Sequence, residues 1–180
     1  MRKFMWVSFL LIASSTGFAS SVSVISPSAP QQVGDSFIVT VNATGMVDLY
    51  SFQFDLSFNP NVLATIGVQQ GSLLAGSGNF IPGTIDNIGG TVTWNADFLT
   101  GPVAGVTGDG SLASFTFKAL ASGISPLSLG NTIFLDSTGA DIRVTLQNGA
   151  VSSVPIPRAV WLFGSALASL MGLISKRRPS

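Results

Sequence analysis

The chain has 180 residues and a formal net charge of zero, with eight basic residues balancing eight acidic ones, a mean hydropathy of +0.53, and neither cysteine nor histidine. Thiol nucleophiles, serine–histidine–aspartate triads and histidine or cysteine metal sites are therefore excluded. Catalysis is left with paired carboxylates, metal binding with oxygen ligands, and an exported domain of this composition with its apolar core in place of disulfides.

The N-terminus carries Arg2-Lys3, an apolar stretch over 4–12, and small residues at Gly17 and Ala19. These are the three regions of a secretory signal peptide and predict residues 1–19 as a leader cleaved between Ala19 and Ser20, with Ser21 as an alternative edge. A core helix here would give the basic start and the small-residue finish no role. Beyond the leader the charges segregate. Between Ser20 and Pro157 only Lys118 and Arg143 are basic, against eight aspartates and no glutamate, a net charge of about −6. Such a segment offers no basic patch to nucleic acid phosphates, and its aspartates suit turns and caps more than helices. Its length, 20–152, suffices for one domain with a core of its own.

Within that domain the apolar residues recur with a period of two. Phe37, Val39 and Val41 alternate with polar or exposed-parity neighbours, as do Phe52, Phe54, Leu56 and Phe58, then Val92 and Trp94, then Phe115 and Phe117, then Ile142, Val144 and Leu146. Between them stand turn formers: Asn59-Pro60-Asn61, Gly76-Ser77-Gly78-Asn79, Gly89-Gly90, Gly108-Asp109-Gly110 and Ser137-Thr138-Gly139. No helical period extends beyond a turn. Half-buried strands joined by such turns predict an all-β sandwich of two antiparallel sheets packed face to face.

No carboxylate pair sits in a catalytic motif. Asp48 with Asp55, and Asp136 with Asp141, are equally read as strand-edge and turn residues, so the domain is expected to be non-catalytic. Asp136 and Asp141 bracket Ser137-Thr138-Gly139-Ala140, a loop that either holds calcium or forms a hairpin turn with carboxylates bonded to backbone N–H groups; the turn is the simpler reading, and no other cofactor is expected. Tyr50 and Trp94 are the two polar-tipped aromatics of the domain and the candidates for stacking on a sugar. Trp94 shares the parity of Val92 and reads as core before platform, and Tyr50 shares the parity of Phe52.

The C-terminal tail, 153–180, opens with Val154-Pro155-Ile156-Pro157. Alternate prolines end the preceding structure, and the apolar run 159–174 with Trp161-Leu162-Phe163-Gly164 begins a new helix. At 1.5 Å per residue that helix is about 24 Å long, a little short of a hydrocarbon core of about 30 Å. Gly164, Ala168 and Gly172 line one face suited to close packing in a membrane, and Lys176-Arg177-Arg178 supplies a positive-inside stop.

This tail resembles the PEP-CTERM sorting signal of Gram-negative bacteria, with Ile156 where the namesake motif has glutamate. The resemblance implies recognition by exosortase, transient residence in the inner membrane, and passage to the cell surface or an exopolysaccharide matrix. The plainer reading of the same tail is a single-span anchor.

The domain itself resembles a cohesin. The likeness is carried by Val33-Gly34-Asp35-Ser36-Phe37, by 51–60 with Val62-Leu63, by Gly71-Ser72-Leu73, by 109–117, and by Leu135-Asp136-Ser137-Thr138-Gly139-Ala140-Asp141 through Asn148-Gly149-Ala150-Val151. Asn59 departs from the aspartate the family often has before proline, which keeps the turn and removes a charge. The resemblance implies a nine-stranded jelly-roll sandwich, related in fold to some carbohydrate-binding modules. Because cohesins bind dockerins, it also implies an exported, non-catalytic binding or structural module whose partner is a protein. The alternative is direct binding of an extracellular polysaccharide.

Overall fold

The computed structural model describes residues 20–155. The expected signal peptide with Ala19, the expected apolar helix, Ile156, Pro157 and the basic end lie outside the described residues. The chain forms ten strands: β1 Ser20–Ile25, β2 Gln31–Gln32, β3 Ser36–Ser57, β4 Leu63–Gln70, β5 Ile81–Asp86, β6 Thr91–Phe98, β7 Val106–Ala119, β8 Gly123–Asp136, β9 Val144–Gln147 and β10 Gly149–Val154.

The architecture follows from β3, whose 22 residues far exceed a usual strand. Its register against β7 shifts three times, between Val41 and Asn42, Ala43 and Met46, and Met46 and Leu49, and Gly45 (φ 66°) and Asp48 (φ 56°) adopt left-handed backbone. An extra residue bends a strand and sharpens its twist. The first half therefore pairs with β1 and β7 in one layer, and the second half with β6 and β8 in the other. The first layer runs β9–β1–β3–β7–β4, and the second runs β5–β6–β3–β8 with β10 and β2 beyond β8.

Alternation places Phe37, Phe52, Phe54, Phe58, Phe115, Phe117 and Phe134 between the layers. Phe54 of the second layer meets Phe115 of the first edge-on at 6.2 Å, and Phe58 meets Phe117 at 5.2 Å. Each such buried ring contributes roughly 1.5–3 kcal/mol relative to exposure. The expected turn at Asn59-Pro60-Asn61 forms: the Asn59 carbonyl accepts the Val62 and Leu63 N–H groups, and its side-chain oxygen accepts Asn61 N–H at 3.0 Å.

Three expectations are corrected. The sheets are mixed, because β1 pairs with β9 and β2 with β10 in parallel. The Gly108-Asp109-Gly110 cluster makes no turn; it lies inside β7, where Gly108 pairs with Met46 and the Asp109 carboxylate accepts Gly45 N–H at 2.6 Å. Its glycines and aspartate serve the bulge that bends β3, which in sequence looks like a turn. The last strand runs on through Val154, which pairs with Gln32, so the first residue of the Val-Pro-Ile-Pro segment belongs to the sheet.

The side of the sandwich between β4 and β5 is closed by polar groups. Asn87 stands in for a strand residue there: its Oδ1 accepts Thr65 N–H at 2.8 Å and its Nδ2 donates to the Thr65 carbonyl at 3.0 Å. The free edge of β5 is blunted by Pro82 and by Gly83, whose φ of 77° and contact with Asn95 exclude a side chain.

Candidate functional site

Four strands, β5, β6, the second half of β3, and β8, present a continuous outer face. Register fixes who stands beside whom. Gln53 lies between Ala96 and Ile133, and Ser51 lies between Phe98 and Leu135, while Ile81 of β5 stands beside Ala96. The β3 residues at the centre of this face are polar, yet their neighbours on both sides are apolar. Ile81, Phe98 and Ile133 are all exposed. Ser51, Gln53, Ala96, Phe98, Ile133 and Leu135 line a shallow depression of about 330 Å³. Contiguous exposed apolar surface with polar residues among it marks an interaction site far better than isolated apolar residues do.

Trp94 stands on the same strand two residues beyond Ala96 and is 65% exposed. This overturns the expectation that it shares the core with Val92. Between the pairs Phe54–Asn95 and Leu56–Val92, β6 carries one residue more than β3, so the parity of the strand flips at Trp94. Asn95 and Asp97 turn inward instead and are buried. Trp94 has a φ of 62°, a conformation costing a bulky residue on the order of 1–3 kcal/mol. The opposite neighbour, β8, repeats the device: its register shifts between Gln53 and Asp55, with Asn131 at φ 47°.

The polar residues turned inward form a seam beneath this face. Asn95 donates from Nδ2 to the carbonyls of Phe54 (3.2 Å) and Val92 (3.0 Å), while its Oδ1 has no partner among the described residues. Asp97 accepts Gln70 Nε2 at 2.8 Å and Phe98 N–H at 2.9 Å, and Gly78 leaves it room, since a Cβ there would overlap the carboxylate. Burial pushes its pKa up, against the two hydrogen bonds.

Tyr50, the other aromatic candidate, is half-buried against the core, and its hydroxyl donates to the Gly101 carbonyl at 2.8 Å. It pins the loop after β6 and offers no free ring. Ser20 begins β1 with its hydroxyl on the Gly45 carbonyl at 2.8 Å. Pro155 is exposed immediately after β10.

At the bend of β3 the remaining carboxylates serve backbone. Asp136 accepts the Thr138 hydroxyl at 2.7 Å, Ala140 N–H at 2.9 Å and Thr138 N–H at 2.8 Å, which hold its pKa down in that order. Asp48 accepts the Ser137 hydroxyl and Gly105 N–H, both at 2.6 Å, with the same effect on its pKa. The loop takes the turn conformation, Asp141 is exposed, and among the described residues no three acidic side chains cluster together.

Fold and face together define a β-sandwich binding module. Residues 20–152 match the Cohesin domain family, and the chain belongs to that family of non-catalytic protein-binding modules. A non-cellulosomal cohesin from the hyperthermophilic archaeon Archaeoglobus fulgidus is 22% identical with a TM-score of 0.60, over 78% of this chain and 95% of that one. The Coh-OlpC cohesin–dockerin complex from Clostridium thermocellum is matched at 16% identity and TM-score 0.62, over 77% and 95%. A type II cohesin domain from the cellulosome of Acetivibrio cellulolyticus gives 15% and 0.64, over 74% and 95%. At these identities the likeness establishes the fold alone. No curated protein sequence matches the chain.

Proposed function

We propose that this chain is an exported binding module that takes a protein partner of the dockerin type on the outer face of β5–β6–β3–β8. The observation that carries the reading is the row of apolar residues on either side of Gln53. Ile81, Phe98, Ile133 and Leu135 can desolvate a partner's apolar side chains but cannot hydrogen-bond to sugar hydroxyls. The test is capture of dockerin domains and of the native host's secreted proteins, followed by calorimetry of the purified pair. Binding that is abolished by Ile133→Asp is the expected result, and a parent chain that retains no protein would overturn the reading.

Direct binding of polysaccharide stays as a second reading because Trp94 is exposed on the strand that also borders the depression through Ala96 and Phe98. A single ring gives a small platform. Retardation of the chain in gels containing the host's extracellular polysaccharide, lost in Trp94→Ala, would place this reading first.

The sorting function rests on the tail. We propose that the segment around Pro155-Ile156-Pro157, the apolar run and the basic end hold the protein at the inner membrane until an exosortase-type enzyme passes it to the surface or the matrix of a Gram-negative host. Val154 is a strand residue, so the informative replacement is alanine at Pro155, Ile156 and Pro157 only. Intact mass and cell fractionation should show a shortened surface form in the parent and a full-length membrane form in the variant. A full-length membrane form in both would leave an ordinary anchor.

A further inference from the structure

Asp55 connects the two strained strands of the candidate face. Its Oδ1 accepts the backbone N–H of Trp94 at 2.8 Å from β6, and its Oδ2 accepts Asn131 Nδ2 at 2.6 Å from β8. Both partners adopt left-handed backbone, at φ 62° and 47°, and both stand where their strand carries one residue more than β3. A bulge removes a residue from the ladder and leaves its N–H in need of an acceptor. The carboxylate of the central strand supplies that acceptor to Trp94 and accepts the side-chain amide of the bulged Asn131, so one side chain ties to the bulges on both of its neighbours. Among the outward residues of this half of β3, namely Ser51, Gln53, Asp55 and Ser57, it is the one carboxylate.

The consequence falls on Trp94. With an uninterrupted alternation the indole would share the side of Val92; with the bulge it stands outward, along the strand from the depression that Phe98 and Ile133 border. Strain of this kind persists where the surroundings over-determine it, and it gathers at sites that bind.

We propose that Asp55 is a positioning residue that presets Trp94 as the anchor against which a protein partner seats an apolar side chain. This deepens, and rests on, the protein-binding reading above. Two features define the occupant: the apolar depression along the strand from Trp94, which takes an aliphatic or aromatic side chain, and the net charge of about −6 on the domain, which favours a partner segment with basic flanks. A ring already held outward has less freedom to lose on binding, so presetting it strengthens the complex without adding a contact.

The experiment uses the full-length chain with Trp6→Phe and Trp161→Phe, which leaves Trp94 as the sole indole, and follows its time-resolved fluorescence anisotropy. The parent should show the ring turning with the whole protein. Asp55→Ala should add a fast local component several-fold larger in amplitude while the chain stays folded. Asp55→Asn should restore the parent decay, because asparagine retains both bonds once the Asn131 amide rotates. If Asp55→Ala does not fold, Asn131→Ala removes one arm only and should give a smaller fast component. A decay unchanged in Asp55→Ala, or in Asn131→Ala when that variant must serve, would overturn the positioning role whatever the parent binds. If the ring is freed but the parent captures no protein, the binding reading falls and the role of Asp55 in holding the indole stands.

Discussion

The two halves of β3 turn similar side chains outward into different company. The first half shows Ser36, Ile38, Thr40 and Asn42, flanked by Ser23 and Ile25 of β1 and by Ser114, Thr116 and Lys118 of β7. The second half shows Ser51, Gln53, Asp55 and Ser57, flanked by Trp94, Ala96 and Phe98 on one side and by Ile133 and Leu135 on the other. The first surface also exposes isoleucines, Ile25, Ile38 and Ile66, but the register sets Thr40 opposite Ile25 and Thr116 opposite Ile38. A binding face therefore comes less from the central strand than from the strands it recruits. The chain recruits mostly polar neighbours for one layer and mostly apolar neighbours for the other.

Breaking what the halves share should have the largest effect. Phe54→Ala removes the ring that meets Phe115 across the layers and should cost about 3–5 kcal/mol. Urea unfolding should remain one transition, since β3 belongs to both layers; two transitions would show that the halves are independent. The next effect separates them. Trp94→Ala should weaken partner binding by about 2 kcal/mol or more, as truncated aromatic anchors do, whereas Ile38→Ala on the other face should leave it within experimental error. Calorimetry on both variants decides, and equal losses would erase the distinction between the faces.

A smaller effect sharpens the account of strain. At a left-handed position glycine escapes a penalty of about 1–2 kcal/mol that any other residue meets, so Trp94→Gly should melt higher than Trp94→Ala although both lack the ring. The smallest effect is a pair of opposite slopes with pH. Asp97 lies beneath the binding face with its pKa raised, so the folded state holds its proton more tightly. Its contribution to stability falls as pH rises from 3.8 through the folded value and levels off above. Asp48 and Asp136, at the bend, have lowered values and contribute stability that is present above 3.8 and lost as pH falls through the folded values. Melting temperatures from pH 3 to pH 7 should show Asp97→Asn gaining on the parent as pH rises, and Asp136→Asn losing ground to it.

Period-two alternation makes Phe37 to Val41, Phe52 to Phe58, and Phe115 with Phe117 legible as strands, because the extra residues in their pairings sit on the partner strands β6, β8 and β4 and leave the alternation of these stretches intact. It fails wherever an extra residue resets parity. Trp94 is assigned to the wrong side for that reason. The whole of β8 escapes notice because Pro126, Gly130 and the bulge at Asn131 break its pattern, although Ile133-Phe134-Leu135, apolar on both parities, signals a strand covered on both faces. The glycine cluster inside β7 looks like a turn because bulges and turns ask the same of a backbone. The parallel pairings join segments more than a hundred residues apart and leave no local trace. Of the site, Trp94 was legible as a residue of interest. Its companions Phe98, Ile133 and Asp55 become a group only through register, which no single strand encodes.

Val154 pairs with Gln32 and is followed at once by Pro155, so no slack separates the end of the sandwich from whatever lies beyond it. A pull applied there is carried along β10 into β8, whose other stretch is hydrogen-bonded to the half of β3 beneath the apolar face. A partner seated on that face and a tether at Pro155 would thus be joined by a path of three hydrogen-bonded strands, β10, β8 and β3.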